Sequence, residues 1–201
     1  LDAPFPSLSH FGRESVIVFF VLSGFVIAYT TEQKNHSARA YVLARCARIY
    51  SVALPMLLLA FGVTALAARL GVQSADIYPL HKPWLYIPFH LLFAGELWNL
   101  SELPPWLVPY WSLSYEVWYY VLFGVLYYLR GGARVLAAAT VLALVGHKLW
   151  LLLPVWMSGV YLYHWQKTHA IERRLARVGW CLTLLLLAAF KAAGADHALR
   201  M

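Results

Sequence analysis

Charge is scarce in this chain. Only 12% of its 201 residues are Asp, Glu, Lys or Arg, and nine are acidic. A soluble domain carries about 25% charged residues, so a surface wetted on every side is excluded. Cysteine is rarer still. Cys46 and Cys181 stand far apart, in or beside apolar segments, and support neither a disulfide framework nor a metal site. No two of the eight histidines have the i, i+4 spacing of a helical metal pair. No basic run with interleaved aromatics marks a nucleic-acid face. Ser112 and Ser114 have no GxSxG-type context, so a serine-nucleophile hydrolase is unsupported. There is no internal repeat, no N-terminal signal pattern and no starting Met. The opening Leu1-Asp2-Ala3-Pro4 predicts a piece of a longer protein.

What is abundant is apolar surface. The hydrophobic share is 62% and the mean hydropathy +0.63, the composition of an integral membrane protein. Nine Trp and thirteen Tyr fit the aromatic belts at membrane–water interfaces. The net charge of +7 reads as loop Lys and Arg that set topology. The expected fold class is all-α, a polytopic transmembrane helix bundle of about six to seven membrane segments in a single domain, 1–201.

Leu1 to Glu14 reads as a loop, and a first span follows at about 15–30. Residues 31–37 form a short polar loop, and 38–50 have helical composition with Arg39, Arg45 and Arg48. A second span covers 51–68, kinked or started at Pro55. After a loop at 71–83, the apolar stretch 84–100 is broken by Pro88, His90, Gly95 and Glu96. A three-proline loop, 101–109, leads to a strong span at 110–129 and a tight basic turn at 130–134. Short spans at 135–145 and 150–165, a basic stretch at 166–177 and a last span at 179–195 complete the chain. The positive-inside rule bears on 84–100. If it dips in without crossing, the basic loops 31–50, 130–134 and 166–177 share one face, and that is the expected arrangement.

Three places hold residues with chemistry. Ser23 and Gly24 sit in the middle of the apolar run Val16 to Tyr29, where two small residues make either a packing notch or one that lines a site. Arg45 and Arg48 are three apart, so on a helix they share one face with about 5–6 Å between Cβ atoms. Two guanidinium forks so placed suit a diphosphate, and they equally suit lipid phosphates and topology setting. Glu116 lies inside a span, where a charge costs about 2.5–3.5 kcal/mol and needs a partner. Ser112, Tyr119 and Tyr120, at i−4, i+3 and i+4, would form a polar stripe with it. Glu116 then serves either a buried ion pair with an Arg or His of another helix, or a site. Among the histidines, His90 and His164 lie nearest to buried ground.

Three pieces, in order, carry a resemblance: Val18-Phe19-Phe20-Val21-Leu22-Ser23-Gly24-Phe25, Ala44-Arg45-Cys46-Ala47-Arg48-Ile49-Tyr50 and Trp111-Ser112-Leu113-Ser114-Tyr115-Glu116. They resemble the FFxLSGF, RxxRI and WSLxxE elements of the integral-membrane acyltransferase 3 family, which includes O-antigen and exopolysaccharide O-acetylases. Gly159 is a fainter match in a late helix. The resemblance covers roughly 12–165 and implies a membrane-bound O-acyltransferase. It would move an acyl group, usually acetyl, from cytoplasmic acyl-CoA to a hydroxyl of a sugar or lipid-linked glycan. It implies Arg45 and Arg48 for the CoA phosphates, and catalytic roles for Glu116 and Ser23. Glu116 would orient the general base or the acceptor hydroxyl. Gly24, Trp111, Ser112 and Tyr119 would line the substrates. Acetyl-CoA is then a co-substrate, with no bound cofactor, metal or nucleic acid. The partners are the glycan acceptor and membrane lipids, and the location is the plasma (bacterial inner) membrane. The family's proposed catalytic His lies on a first helix that would precede Leu1, and His10 does not replace it. The family's last helices are also missing, so residues 1–201 alone are expected to be inactive. The alternative is a transporter or non-catalytic membrane subunit, since permeases also use a broken helix and an intramembrane Glu.

Overall fold

The structure, a computed structural model, describes residues 12–34, 37–71 and 83–169, together with positions 174, 178, 181 and 182. The described residues are helical and contain no strand. The first helix, α1 (Gly12–Lys34), is about 34 Å long at ~1.5 Å per residue. Its buried positions, Phe20, Ser23, Ile27, Ala28 and Thr31, recur at helical spacing, whereas Ile17, Val18 and Leu22 are exposed. In water that outer face would be costly; in a bilayer it meets lipid. Helix α2 (Ala38–Arg69) follows, capped by Ser37, whose hydroxyl accepts from the Ala40 N–H at 3.2 Å. Each of these helices is long and apolar enough to cross a membrane. The protein is an integral membrane protein.

The second helix corrects the expectation of a start at Pro55. Residues 38–50 and 51–68 form one helix, and Pro55 lies inside it. Proline forfeits one backbone bond, but ending a helix in a membrane would strand several N–H and C=O groups where no water reaches them. The single loss is the smaller cost.

The doubtful stretch turns back without crossing. Helix α3 (Pro83–Leu91) has nine residues, about 13 Å and under half of a bilayer core. The chain reverses at Phe93, which takes a left-handed φ of 54° between α3 and a short 3-10 helix, Ala94–Glu96. Helix α4 (Tyr110–Tyr128) then runs parallel to α1: Phe20 packs on Trp111, Tyr115 and Tyr119, and Ser23 lies beside Glu116 and Tyr120. It is antiparallel to α2, since Tyr41 meets Gly124 while His90, under Phe61, meets Tyr110. The C-terminal ends of α1 and α4 therefore lie at the N-terminal end of α2, and the basic residues there share one face.

Helix α5 (Gly131–Val145) begins just after Arg130, so the turn at 130–134 is shorter than its composition implied. Helix α6 (His147–Thr168) leaves α5 at 120° through Gly146. Gly146 has φ +76°, and a Cβ there would meet the Trp98 backbone at 2.8 Å, so this corner demands glycine twice over. Trp98 N–H donates to the Val145 carbonyl at 3.0 Å and ties the corner to the reversed segment. Helix α4 is the hub, packing on α1, α2, α5 and the 3-10 helix. The chain divides into two compact units, 1–161 and 162–201, with the boundary inside α6. In the second unit Lys167 lies over the Tyr163 ring at 5.7 Å, and Trp165 stacks on His169. The span expected at 179–195 and most of the loop at 71–83 lie outside the described residues, as does His10.

Candidate active site

Four helices of the first unit converge on one carboxylate. Glu116 is only 3% exposed. Its Oε1 accepts from Ser23 Oγ on α1 at 2.8 Å and from Tyr120 OH one turn further along α4. Arg48 Nη2 on α2 stands 3.6 Å from the same oxygen. Trp156 Nε1 on α6 donates to Ser23 Oγ at 3.3 Å, and Ser23 Oγ and Tyr120 OH lie 3.1 Å apart. Burying a carboxylate is costly unless it is paired and hydrogen-bonded. Two hydroxyl donors and a guanidinium meet that requirement. The Arg48 side chain is 45% exposed, so the pair joins the interior to the helix surface.

Arg45 is placed differently, although it shares a helix face with Arg48. Its Nη2 donates to Thr30 Oγ1 at 3.2 Å, and its guanidinium carbon sits 5.6 Å from the centroid of the Tyr120 ring. Its Nε and Nη1 are shielded from solvent and have no acceptor. Arg45 borders a cavity of about 380 Å³ between α2 and α4, whose walls are mostly apolar and include Tyr41, Ile49, Val117, Tyr120 and Val121. Tyr120 thus belongs to both the carboxylate cluster and the cavity wall. A partly open apolar chamber with a few convergent polar groups is the usual form of a small-molecule site.

The sequence profile of the acyltransferase 3 family, described as an acyltransferase domain, matches residues 3–200. The chain belongs to this family. It is also 29% identical over 138 residues to the exopolysaccharide production protein ExoZ of Rhizobium meliloti (strain 1021), covering 67% of this chain and 40% of that one. The chain therefore spans well under half the length of that relative. No solved structure matches.

The three acyltransferase-family pieces meet in space: Ser23 from the first, Arg48 from the second and Glu116 from the third share one oxygen. The ion pair considered for Glu116 is present, and its partner is Arg48. The other residues singled out in sequence have contacts of their own. The notch at Gly24 receives the α6 backbone at Trp156 and Val160. Trp111 packs edge-on against Phe20 and Tyr115. Ser112 Oγ donates to the Pro109 carbonyl at 2.9 Å, and Tyr119 OH to the Leu149 carbonyl at 2.7 Å. Within the polar stripe only Tyr120 reaches the carboxylate by hydrogen bond. Trp156, Thr30 and Tyr41 escaped sequence reasoning because each joins through contacts between distant helices. Tyr120 was visible at i+4 from Glu116.

His90 lies apart from the cluster. It is buried among Phe61, Tyr86, Phe89 and Tyr110, and its Nε2 has no hydrogen-bond partner. Burial pulls its pKa down to about 4, so the ring is neutral. Tyr110, whose hydroxyl donates to the His90 carbonyl at 2.8 Å, precedes Glu116 by about 9 Å along α4. His164 belongs to the second unit and is exposed. Among the described residues no group of three or more His, Cys, Asp or Glu is arranged to hold a metal.

Proposed function

We propose that the chain is part of a membrane O-acyltransferase. It moves an acyl group, acetyl on the family resemblance, from acyl-CoA to a hydroxyl of a sugar or lipid-linked glycan. The observation that carries this reading is the convergence of Ser23, Arg48 and Glu116 beside a cavity bordered by Arg45. Arg45 and Arg48 meet the donor's phosphates, and the apolar chamber takes its arm. The acceptor hydroxyl attacks the thioester carbonyl, a C–O bond forms, the C–S bond breaks and the CoA thiol leaves. Glu116, paired with Arg48, orients the acceptor hydroxyl or the base that removes its proton. Ser23 fixes the carboxylate in place. On this reading the basic face is cytoplasmic, as the positive-inside rule favours, the donor arrives from that side, and the membrane is the bacterial inner membrane. An exopolysaccharide acceptor is supported by the name of the relative.

The test is label transfer by the full reading frame in native membranes supplied with radiolabelled acetyl-CoA. The wild type should label the glycan fraction. Glu116→Gln keeps the size and removes the charge, and should cut transfer by about a hundredfold, the scale of general acid–base or orienting contributions. If wild-type membranes transfer no label while transporting a solute in a Glu116-dependent way, the transporter reading takes its place.

A further inference from the structure

Tyr120 occupies a position that none of the three family motifs contains, and three separate contacts meet on it. Its hydroxyl donates to Glu116 Oε1 and lies 3.1 Å from Ser23 Oγ. Its ring carries the Arg45 guanidinium at 5.6 Å on the cavity side. Its backbone carbonyl accepts from Tyr41 OH at 2.7 Å, and Tyr41 also lines that cavity. The side chain is only 3% exposed, with Trp156 against it at 6.4 Å between ring centroids. A buried aromatic so anchored has little freedom to rotate, so its hydroxyl and its face keep a fixed relation.

We infer that Tyr120 is a positioning residue that sets the Glu116 carboxylate and the Arg45 guanidinium in register with each other. The inference rests on the acyltransferase reading, since it assigns the hydroxyl to one substrate and the ring to the other. The phenol proton fixes which way Oε1 points toward the acceptor. The ring face holds Arg45 at the cavity that would take the donor. The two halves of the side chain therefore have separable effects, which a purely structural tyrosine would not give.

The experiment uses the full-length protein in membranes, with acetyl-CoA varied at saturating acceptor. Tyr120→Phe keeps the ring and removes the phenol. It should lower kcat about tenfold or more, the scale of one hydrogen bond to a charged group, and leave the acetyl-CoA KM unchanged. Tyr120→Leu removes the ring as well and should also raise that KM severalfold. Tyr110→Phe deletes an equally buried phenol from the same helix, one that bonds the His90 carbonyl, and should leave both constants near wild type. Wild-type kcat in Tyr120→Phe overturns the inference. So does a parallel change of kcat and KM in all three variants, which would mean loosened packing alone. A wild type with no transfer removes the acyltransferase reading and this inference together; transfer that ignores Tyr120 removes only the inference.

Discussion

Gly24 and Gly159 interlock where α1 crosses α6. A Cβ on Gly24 would run into the Trp156 carbonyl, and one on Gly159 would run into the Val21 carbonyl. Each glycine thus vacates the space that the other helix's backbone fills. In a membrane, where lipid competes for apolar contact, such close approach is a main source of helix–helix affinity.

Gly24→Ala or Gly159→Ala should therefore push the helices apart. Overpacking of this kind costs about 1–3 kcal/mol. Backbone atoms are in the way, so no side chain can swing aside to relieve it. Thermal unfolding in detergent should show a lower midpoint for each single variant. It should also show less than additive loss in the double, because the first substitution already opens the crossing. An unchanged midpoint for Gly24→Ala would mean that α1 and α6 do not cross there.

Arg45 and Arg48 sit three residues apart with unequal surroundings. Arg48→Ala should weaken acetyl-CoA binding to the full-length protein about tenfold or more, and acceptor binding less. Arg45→Ala should weaken donor binding at least as much, since Arg45 borders the apolar cavity proposed for the donor's arm. Equilibrium binding of labelled acetyl-CoA measures both. Wild-type affinity in either variant would remove that arginine from the donor site.

His90 provides a pH test. Its folded pKa of about 4 lies below the ordinary 6.5, so the folded state favours the neutral ring. As pH falls below 6.5, the unfolded chain takes a proton that the folded chain refuses. The stabilising effect of the neutral ring is complete above pH 6.5 and drains away as pH drops toward 4, by at most about 3 kcal/mol. His90→Phe should flatten that slope in unfolding measurements between pH 6.5 and 4. An identical slope in wild type and variant would show that His90 does not carry it.

The helical, membrane-embedded class was legible because it rests on composition and long apolar runs. The reversal at 83–109 was legible too, through Pro88, Glu96 and the placement of basic residues. Pro55 did not start a helix, because proline costs only one bond inside a lipid-surrounded run. Within the site, Glu116 stood out as a charge in an apolar span, and Ser23 as a hydroxyl in another. That they share an oxygen atom could not be read, since no local period encodes the angle between α1 and α4. Trp156 and the cavity beside Arg45 depend on the same interhelical geometry. Gly24 read as a packing notch or as one that lines a site, and the α6 backbone packs into it.

The half-membrane hairpin around Phe93 has a consequence for how the chain is threaded into the bilayer. Because it enters and leaves on the same side, α1 and α4 point the same way and their side chains lean alike. Stretch it until it spanned, and α4 would insert upside down, carrying its carboxylate to the opposite leaflet from the serine that grips it. A short detour with an awkward turn thus fixes the polarity of everything downstream.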